Sequence, residues 1–98
     1  MSKKKQQNKE AAKNVALSWT DDAWEDYLYW QQHDFSKVLE INGLLEECRR
    51  TPFKGTGKPE PLKGDLTGYW SRRIDKENRL VYLPEDNSIY VVQCRLHY

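Results

Sequence analysis

The chain has 98 residues, 38% hydrophobic, 32% charged and 12% aromatic, with 16 Lys and Arg against 15 Asp and Glu. That length accommodates one domain with one modest core, and four Trp, six Tyr and two Phe argue against wholesale disorder. No apolar run reaches the ~18 residues of a membrane span, no secretory h-region follows the lysine-rich start, and Cys48 and Cys94 fit neither a metal spacing nor a disulfide framework, so reduced thiols in the cytoplasm are expected.

Residues 1–14 carry five Lys and one Glu, without aromatics or periodicity, which predicts a flexible basic tail ahead of a domain over 15–98. Val15 to Trp19 is a short apolar run suited to a first strand. Thr20, Asp21 and Asp22 then offer helix N-caps, with Glu25 in the first turn. Ala23, Trp24, Tyr27, Leu28 and Gln31 recur at helical spacing and form one aromatic face. Asp34 is placed to cap a second helix, whose stripe is Val38, Ile41, Leu45 and Cys48. Gly43 inside it costs about 1 kcal/mol relative to Ala, and Thr51 before Pro52 ends it. Both helices are acid-rich: residues 15–48 hold eight acidic groups and one Lys.

Residues 52–65 contain three Gly and three Pro. That composition predicts a loop without regular structure on a path restricted by its prolines, and a loop this long in a small domain points to function. From Leu66 the pattern is β, with strands expected over Tyr69 to Ile74, Arg79 to Leu83 and Ile89 to Leu96. Trp70, Ile74, Leu80, Tyr82, Val92, Cys94 and Leu96 share one face against the helices. Ser71, Arg73, Val81, Gln93, Arg95 and His97 take the open one. Burying an arginine in the core is expensive, so the expected hairpin register puts Arg79 with Arg73 on the open face, rather than opposite Ile74.

Glycine-rich phosphate loops, H-E-x-x-H and zinc spacings are absent from the sequence. What remains is Glu60 between two prolines and beside Lys58 and Lys63, the arginines Arg73, Arg79 and Arg95, and a terminal His97-Tyr98. A lone penultimate His is usually a surface residue, a flanked Glu a solvated one, and strand arginines pair with acidic helices as readily as with phosphate. Together they match metal-independent RNA cleavage: a base for the ribose 2′-OH, cations for the phosphate, and an acid for the departing 5′-oxygen. The net charge of +1 does not oppose this, because residues 49–81 alone hold nine basic and four acidic groups.

Five blocks in order, SWTDDAWEDYLYW (18–30), RRTPFKGTGKPEPLK (49–63), WSRRI (70–74), RLVY (79–82) and CRLHY (94–98), resemble the YoeB-type toxins (Txe/YoeB family) of the RelE/ParE superfamily of bacterial toxin–antitoxin systems. The resemblance spans about residues 15–98; the fourteen residues ahead of it depart from the family pattern. It implies an α+β fold, with two N-terminal helices packed on a twisted antiparallel sheet (RelE-like, microbial RNase-like). It implies an endoribonuclease cutting mRNA in the ribosomal A site without metal or cofactor, leaving a 5′-OH fragment. The implied partners are the 70S ribosome with its mRNA, a YefM-type antitoxin and a second copy of the toxin, with no membrane. By matched motif, Glu60 is the general base and His97 the general acid, two roles open to exchange. Arg79 stabilises the transition state, Arg73 and Lys63 contact phosphate or substrate, and Tyr98 orients the substrate or completes the acid site. A ParE-like gyrase inhibitor of the same fold, or a plain RNA- or ribosome-binding module, is the alternative.

Overall fold

The computed structural model describes residues 14–96, so that the expected basic tail and the terminal His97 and Tyr98 lie outside the described residues. The described elements are β1 (Ala16–Trp19), α1 (Asp21–His33), α2 (Phe35–Arg50), β2 (Glu60–Pro61), a 3-10 turn (Gly64–Leu66), β3 (Trp70–Arg73), β4 (Arg79–Glu85) and β5 (Ser88–Gln93).

Local chemistry sets the helix ends where expected. The Thr20 hydroxyl accepts the Ala23 N–H at 3.1 Å, and Asp21 and Asp22 stand in the first turn against the positive end of the helix dipole. Asp34 serves twice: its N–H donates to the Trp30 carbonyl at the end of α1, and its carboxylate accepts the Ser36 N–H at the start of α2. Extended backbone at this one residue turns the two helices into a hairpin. Thr51 closes α2 by donating its N–H to the Glu47 carbonyl.

α2 buries the predicted stripe of Val38, Ile41, Leu45 and Cys48, together with Leu44. In α1 the buried positions are Ala23 and Trp30, whereas Trp24 and Leu28 are 45% and 38% exposed and Gln31 is exposed. The expected aromatic face is therefore rotated. Trp30 turns inward because its indole N–H finds the Cys94 carbonyl at 2.8 Å. Trp24 remains at the rim, packed with Trp19 and Tyr27 at ring separations of 5.0–5.7 Å.

The strands form one sheet in the order β1-β5-β4-β3-β2. β3, β4 and β5 pair antiparallel as expected and β2 joins β3 antiparallel, while β1 runs parallel to β5, so the sheet is mixed. Short turns dictate direction between β3, β4 and β5; β1 joins the sheet through the helical hairpin and carries no such constraint. The helices cover one face, burying Ile41, Leu44 and Cys48 against Leu80, Tyr82, Ile89, Val91 and Cys94.

Arg73 and Arg79 share a face as expected, but they pair directly: a loop of Lys76, Glu77 and Asn78 would set Asp75 opposite Arg79, whereas Ile74 is hydrogen-bonded to Asn78 and the turn is longer. Two other strand expectations require correction. Val81 pairs with Gln93 but Tyr82 with Val91, so Val92 is an extra residue that breaks the alternation of β5. Ile89 and Val91 consequently take the core positions assigned to Val92, and Leu96 is exposed. The opposite face is not open throughout, since Ser71 and Val81 are each 1% exposed. The Pro/Gly-rich segment also contains regular structure: Glu60–Pro61 forms a short edge strand, where proline's missing N–H costs no ladder bond.

Among the described residues, no helix is long and apolar enough to cross a membrane. Both cysteines are buried and free, and burial pushes the Cys48 thiol up to about 11 and the Cys94 thiol up to about 12.

Candidate active site

Sheet register sets Glu60, Arg73 and Arg79 on one face of the sheet. Glu60 pairs with Ser71, Ser71 with Val81, and Val81 with Gln93, a row of side chains on the face away from the helices. Three strand spacings, on the order of 14 Å, separate the ends of that row. Arg73 and Arg79 form a second cross-strand pair on the same face, two residues further along β3. Glu60, Arg73 and Lys63 are exposed to solvent. Lys63 immediately precedes the 3-10 turn, beyond Leu62, whose N–H donates to the Tyr69 carbonyl at 2.9 Å.

Arg79 is the less exposed arginine, at 9%. Its Nη1 donates to the carbonyls of Asp75, Lys76 and Asn78 at 2.8, 3.2 and 3.1 Å, which ties the guanidinium to the β3–β4 turn. Its Nε and Nη2 have no partner among the described residues. A guanidinium held by one nitrogen offers its remaining donors in a fixed direction, the arrangement required to grip a phosphate by two hydrogen bonds.

The backbone of residues 95 and 96 is fastened beside the same face. Gln93, at the far end of the Glu60 row, donates through Nε2 to the carbonyls of Arg95 and Leu96 at 3.1 and 3.0 Å. The Arg79 N–H donates to the Leu96 carbonyl at 3.1 Å, and the Leu96 N–H to the Asn78 side-chain oxygen at 2.7 Å. Leu96 sits at φ +66, a left-handed conformation costly for a leucine and held by these bonds. The Leu96 backbone therefore lies beside Arg79.

Arg95 does not join the arginines of the open face. Its guanidinium lies 4.1 Å from the centre of the Tyr29 ring and 3.7 Å from Asp26 on α1. Burial raises the Asp26 carboxyl, against the Cys94 N–H and Arg95, which lower it. β5 ends at Gln93, so strand alternation no longer governs residue 95, and its side chain turns to α1.

Three supporting residues escaped the sequence reading. Asp75 accepts from Lys37 at 2.8 Å, from the N–H groups of Glu77 and Asn78, and from the Asn78 side chain. Burial pushes its carboxyl up, but these donors outweigh it and hold it well below the ordinary carboxylate range. Asn78 is buried and links that turn to Leu96. Arg72, fully buried, was hidden in plain alternation: it lies between Trp70 and Ile74, at a core-facing position. Asp75 followed by Asn78 was a legible turn signal. Among the described residues, no group of three or more His, Cys, Asp or Glu is placed to hold a metal ion.

Two helices on one face of a small mixed sheet, with a carboxylate and paired arginines across the other, define a RelE-like toxin fold. A model of the family described as "YoeB-like toxin of bacterial type II toxin-antitoxin system" matches residues 19–98. Toxin YoeB of Escherichia coli K12 is 55% identical over 84 residues, 86% of this chain and all of that protein. The solved YoeB dimer from Staphylococcus aureus superposes with a TM-score of 0.82 at 46% identity, over 87% of this chain and 99% of that one. The heterotetrameric YoeB–YefM toxin–antitoxin complex of the same organism gives 0.80 at 47% identity, over 86% and 98%. The chain belongs to the YoeB toxin family of bacterial type II toxin–antitoxin systems.

Proposed function

We propose that this toxin is a ribosome-dependent endoribonuclease that cuts mRNA in the A site and so stops translation in the cytoplasm. The observation that supports it most is the common sheet face of Glu60 and the Arg73–Arg79 pair, with the Leu96 backbone bonded to Arg79. Glu60 takes the proton of the ribose 2′-OH, whose oxygen attacks the adjacent phosphorus. Arg79 neutralises the charge gathering on the phosphate, with Arg73 and Lys63 binding the strand. His97 gives a proton to the departing 5′-oxygen, leaving a 5′-OH fragment, and Tyr98 orients the substrate. The chemistry is complete with a base, an acid and cations, and calls for no cofactor. Exchange of the Glu60 and His97 roles leaves the residue set unchanged.

Likeness to the S. aureus YoeB dimer and YoeB–YefM complex supports a second copy of this chain and a YefM-type antitoxin as partners. The gyrase-inhibiting alternative is not favoured, because the matching family model is that of YoeB toxins. Incubation with mRNA-programmed 70S ribosomes, followed by mass analysis of the RNA ends, tests the reading. Cuts within the A-site codon bearing 5′-OH ends are expected, and lost in Glu60→Ala and His97→Ala. Intact mRNA with accumulating DNA breaks would return the gyrase reading. Salt-sensitive ribosome association without any cut would leave a binding module.

A further inference from the structure

Arg72 is a charge in an unexpected place. It is 0% exposed, on the helix-facing side of β3 opposite Leu80, where an aliphatic residue would ordinarily sit. Withdrawing a guanidinium from water costs several kcal/mol, and packed hydrophobic residues often replace such groups without loss of stability. What this arginine contacts explains its place.

All five of its N–H donors meet acceptors. Nε donates to the Tyr82 hydroxyl at 3.1 Å, and Nη1 to Glu47 Oε1 and the Thr56 carbonyl, each at 3.1 Å. Nη2 donates to the carbonyls of Thr51 and Lys54 at 2.6 and 3.0 Å. Two of these partners extend the grip: Tyr82 donates its hydroxyl hydrogen to the Pro52 carbonyl, and Glu47 accepts the Thr56 N–H. The carbonyls of residues 51, 52, 54 and 56 are thereby gathered around one guanidinium and its phenol neighbour. This segment has no strand pairing of its own. At its end the Gly57 carbonyl accepts the Arg73 N–H at 2.7 Å, and three residues later Glu60 enters the sheet. Gly55 and Gly57 both have positive φ, and a methyl at either would meet Glu47 or the β3 backbone, so the wrap leaves no room for side chains there.

From this geometry we infer that Arg72 is a positioning residue for Glu60: by holding residues 51–57 it sets where the proposed base stands, without itself touching substrate. The inference rests on the ribonuclease reading and adds a residue to it. A guanidinium is required because its planar fork reaches acceptors on opposite sides at once; a lysine ammonium keeps the charge and cannot span them. Tyr82 acts in the same direction through the Pro52 carbonyl.

The test measures single-turnover cleavage on mRNA-programmed ribosomes with toxin in excess. It compares the unaltered protein, Arg72→Lys and Tyr82→Phe, each also combined with Glu60→Gln, and follows amide hydrogen exchange over residues 53–60. Arg72→Lys is expected to lower the cleavage rate about 10–100-fold, as a misplacement of ~1 Å does, with half-saturation by ribosomes changed less than about 2-fold because uniform binding is untouched. Tyr82→Phe is expected to lose less, in the same sense. In the Glu60→Gln background both substitutions should become nearly silent, since no base remains to misplace. Exchange over 53–60 should quicken while β4 and β5 stay protected.

An equal loss in both backgrounds would overturn the inference and make Arg72 an ordinary core contact, as would full activity of both variants. Should Arg72→Lys fail to fold, the Tyr82→Phe cycle decides by the same criterion. If the unaltered protein makes no cut, the ribonuclease reading fails, and with it the inference, whereas unchanged exchange over 53–60 in variants of an active enzyme would sink the inference alone.

Discussion

The Asn78 side chain joins Asp75 to Leu96: its amide nitrogen donates to both Asp75 carboxylate oxygens at 3.0 Å, and its oxygen accepts the Leu96 N–H at 2.7 Å. One buried amide thus connects the β3–β4 turn, and through Asp75 the Lys37 ammonium of α2, to the backbone that leads into His97. Asn78→Asp keeps the shape and reverses the donor, setting a carboxylate against a carboxylate. Asn78→Ala should lose about 1–3 kcal/mol, the usual cost of orphaning buried partners, and Asn78→Asp should lose more near neutral pH than in acid. Urea unfolding at the two pH values checks the order, and cleavage should fall with both.

Asp75 also predicts an acid sensitivity. Its carboxyl is held below the ordinary range in the folded chain, so the folded state releases that proton more readily than the unfolded one. The stability this contributes is fully present above the unfolded value of about 3.9 and drains away as pH falls toward the folded one. Asp75→Asn should flatten that acid decline of the urea midpoint. Lys37 titrates oppositely: its hydrogen bond to Asp75 raises it, so the stability it contributes is present below about 10.4 and is lost as pH rises further.

Three glycines should respond differently to alanine. Gly43 has open space around its missing Cβ in the middle of α2, so Gly43→Ala should stabilise by about 0.4–1 kcal/mol. Gly64, at φ +66 in open space, should lose about 1–2 kcal/mol from the left-handed backbone alone. Gly57 is worse placed, since at φ +85 a Cβ would lie 3.0 Å from the Arg73 carbonyl and 3.2 Å from Leu44. Thermal unfolding should rank them Gly43, Gly64, Gly57.

The two facing arginines should separate kinetically. Arg79→Ala should lower the cleavage rate about 10²–10³-fold, the scale for a donor aimed at developing charge. Arg79→Lys should recover little, because a lysine cannot both grip the turn and present a fork. Arg73 is solvent-exposed, and Arg73→Ala should act mainly on half-saturation. Glu60→Ala and His97→Ala should each lose about 10²–10⁴-fold, and deletion of residues 1–14 should leave the rate unchanged. Rate and half-saturation on programmed ribosomes read all of these.

Much of this was written locally. Thr20, Asp34 and the Thr51-Pro52 step mark both helices, and the apolar stripe of α2 needs no partner to be read. The cost of burying a charge chose the face that Arg79 shares with Arg73, though not their direct pairing, and the motif around Glu60 pointed to the site without its geometry. Other features depend on contacts between residues far apart in the chain. Nothing near β1 says that it runs parallel to β5, nothing near Val92 marks the break that puts Ile89 and Val91 in the core, and the inward turn of Trp30 waits on the Cys94 carbonyl. Arg72 shows the difference most clearly: a charged residue at a core position reads as an exception until five distant acceptors surround it. Caps, periodicity and charge are short-range properties that a sequence carries in itself. Strand direction, side-chain alternation past a bulge and the satisfaction of a buried cation are decided only when separated segments meet, because only then are their hydrogen-bonding partners in reach.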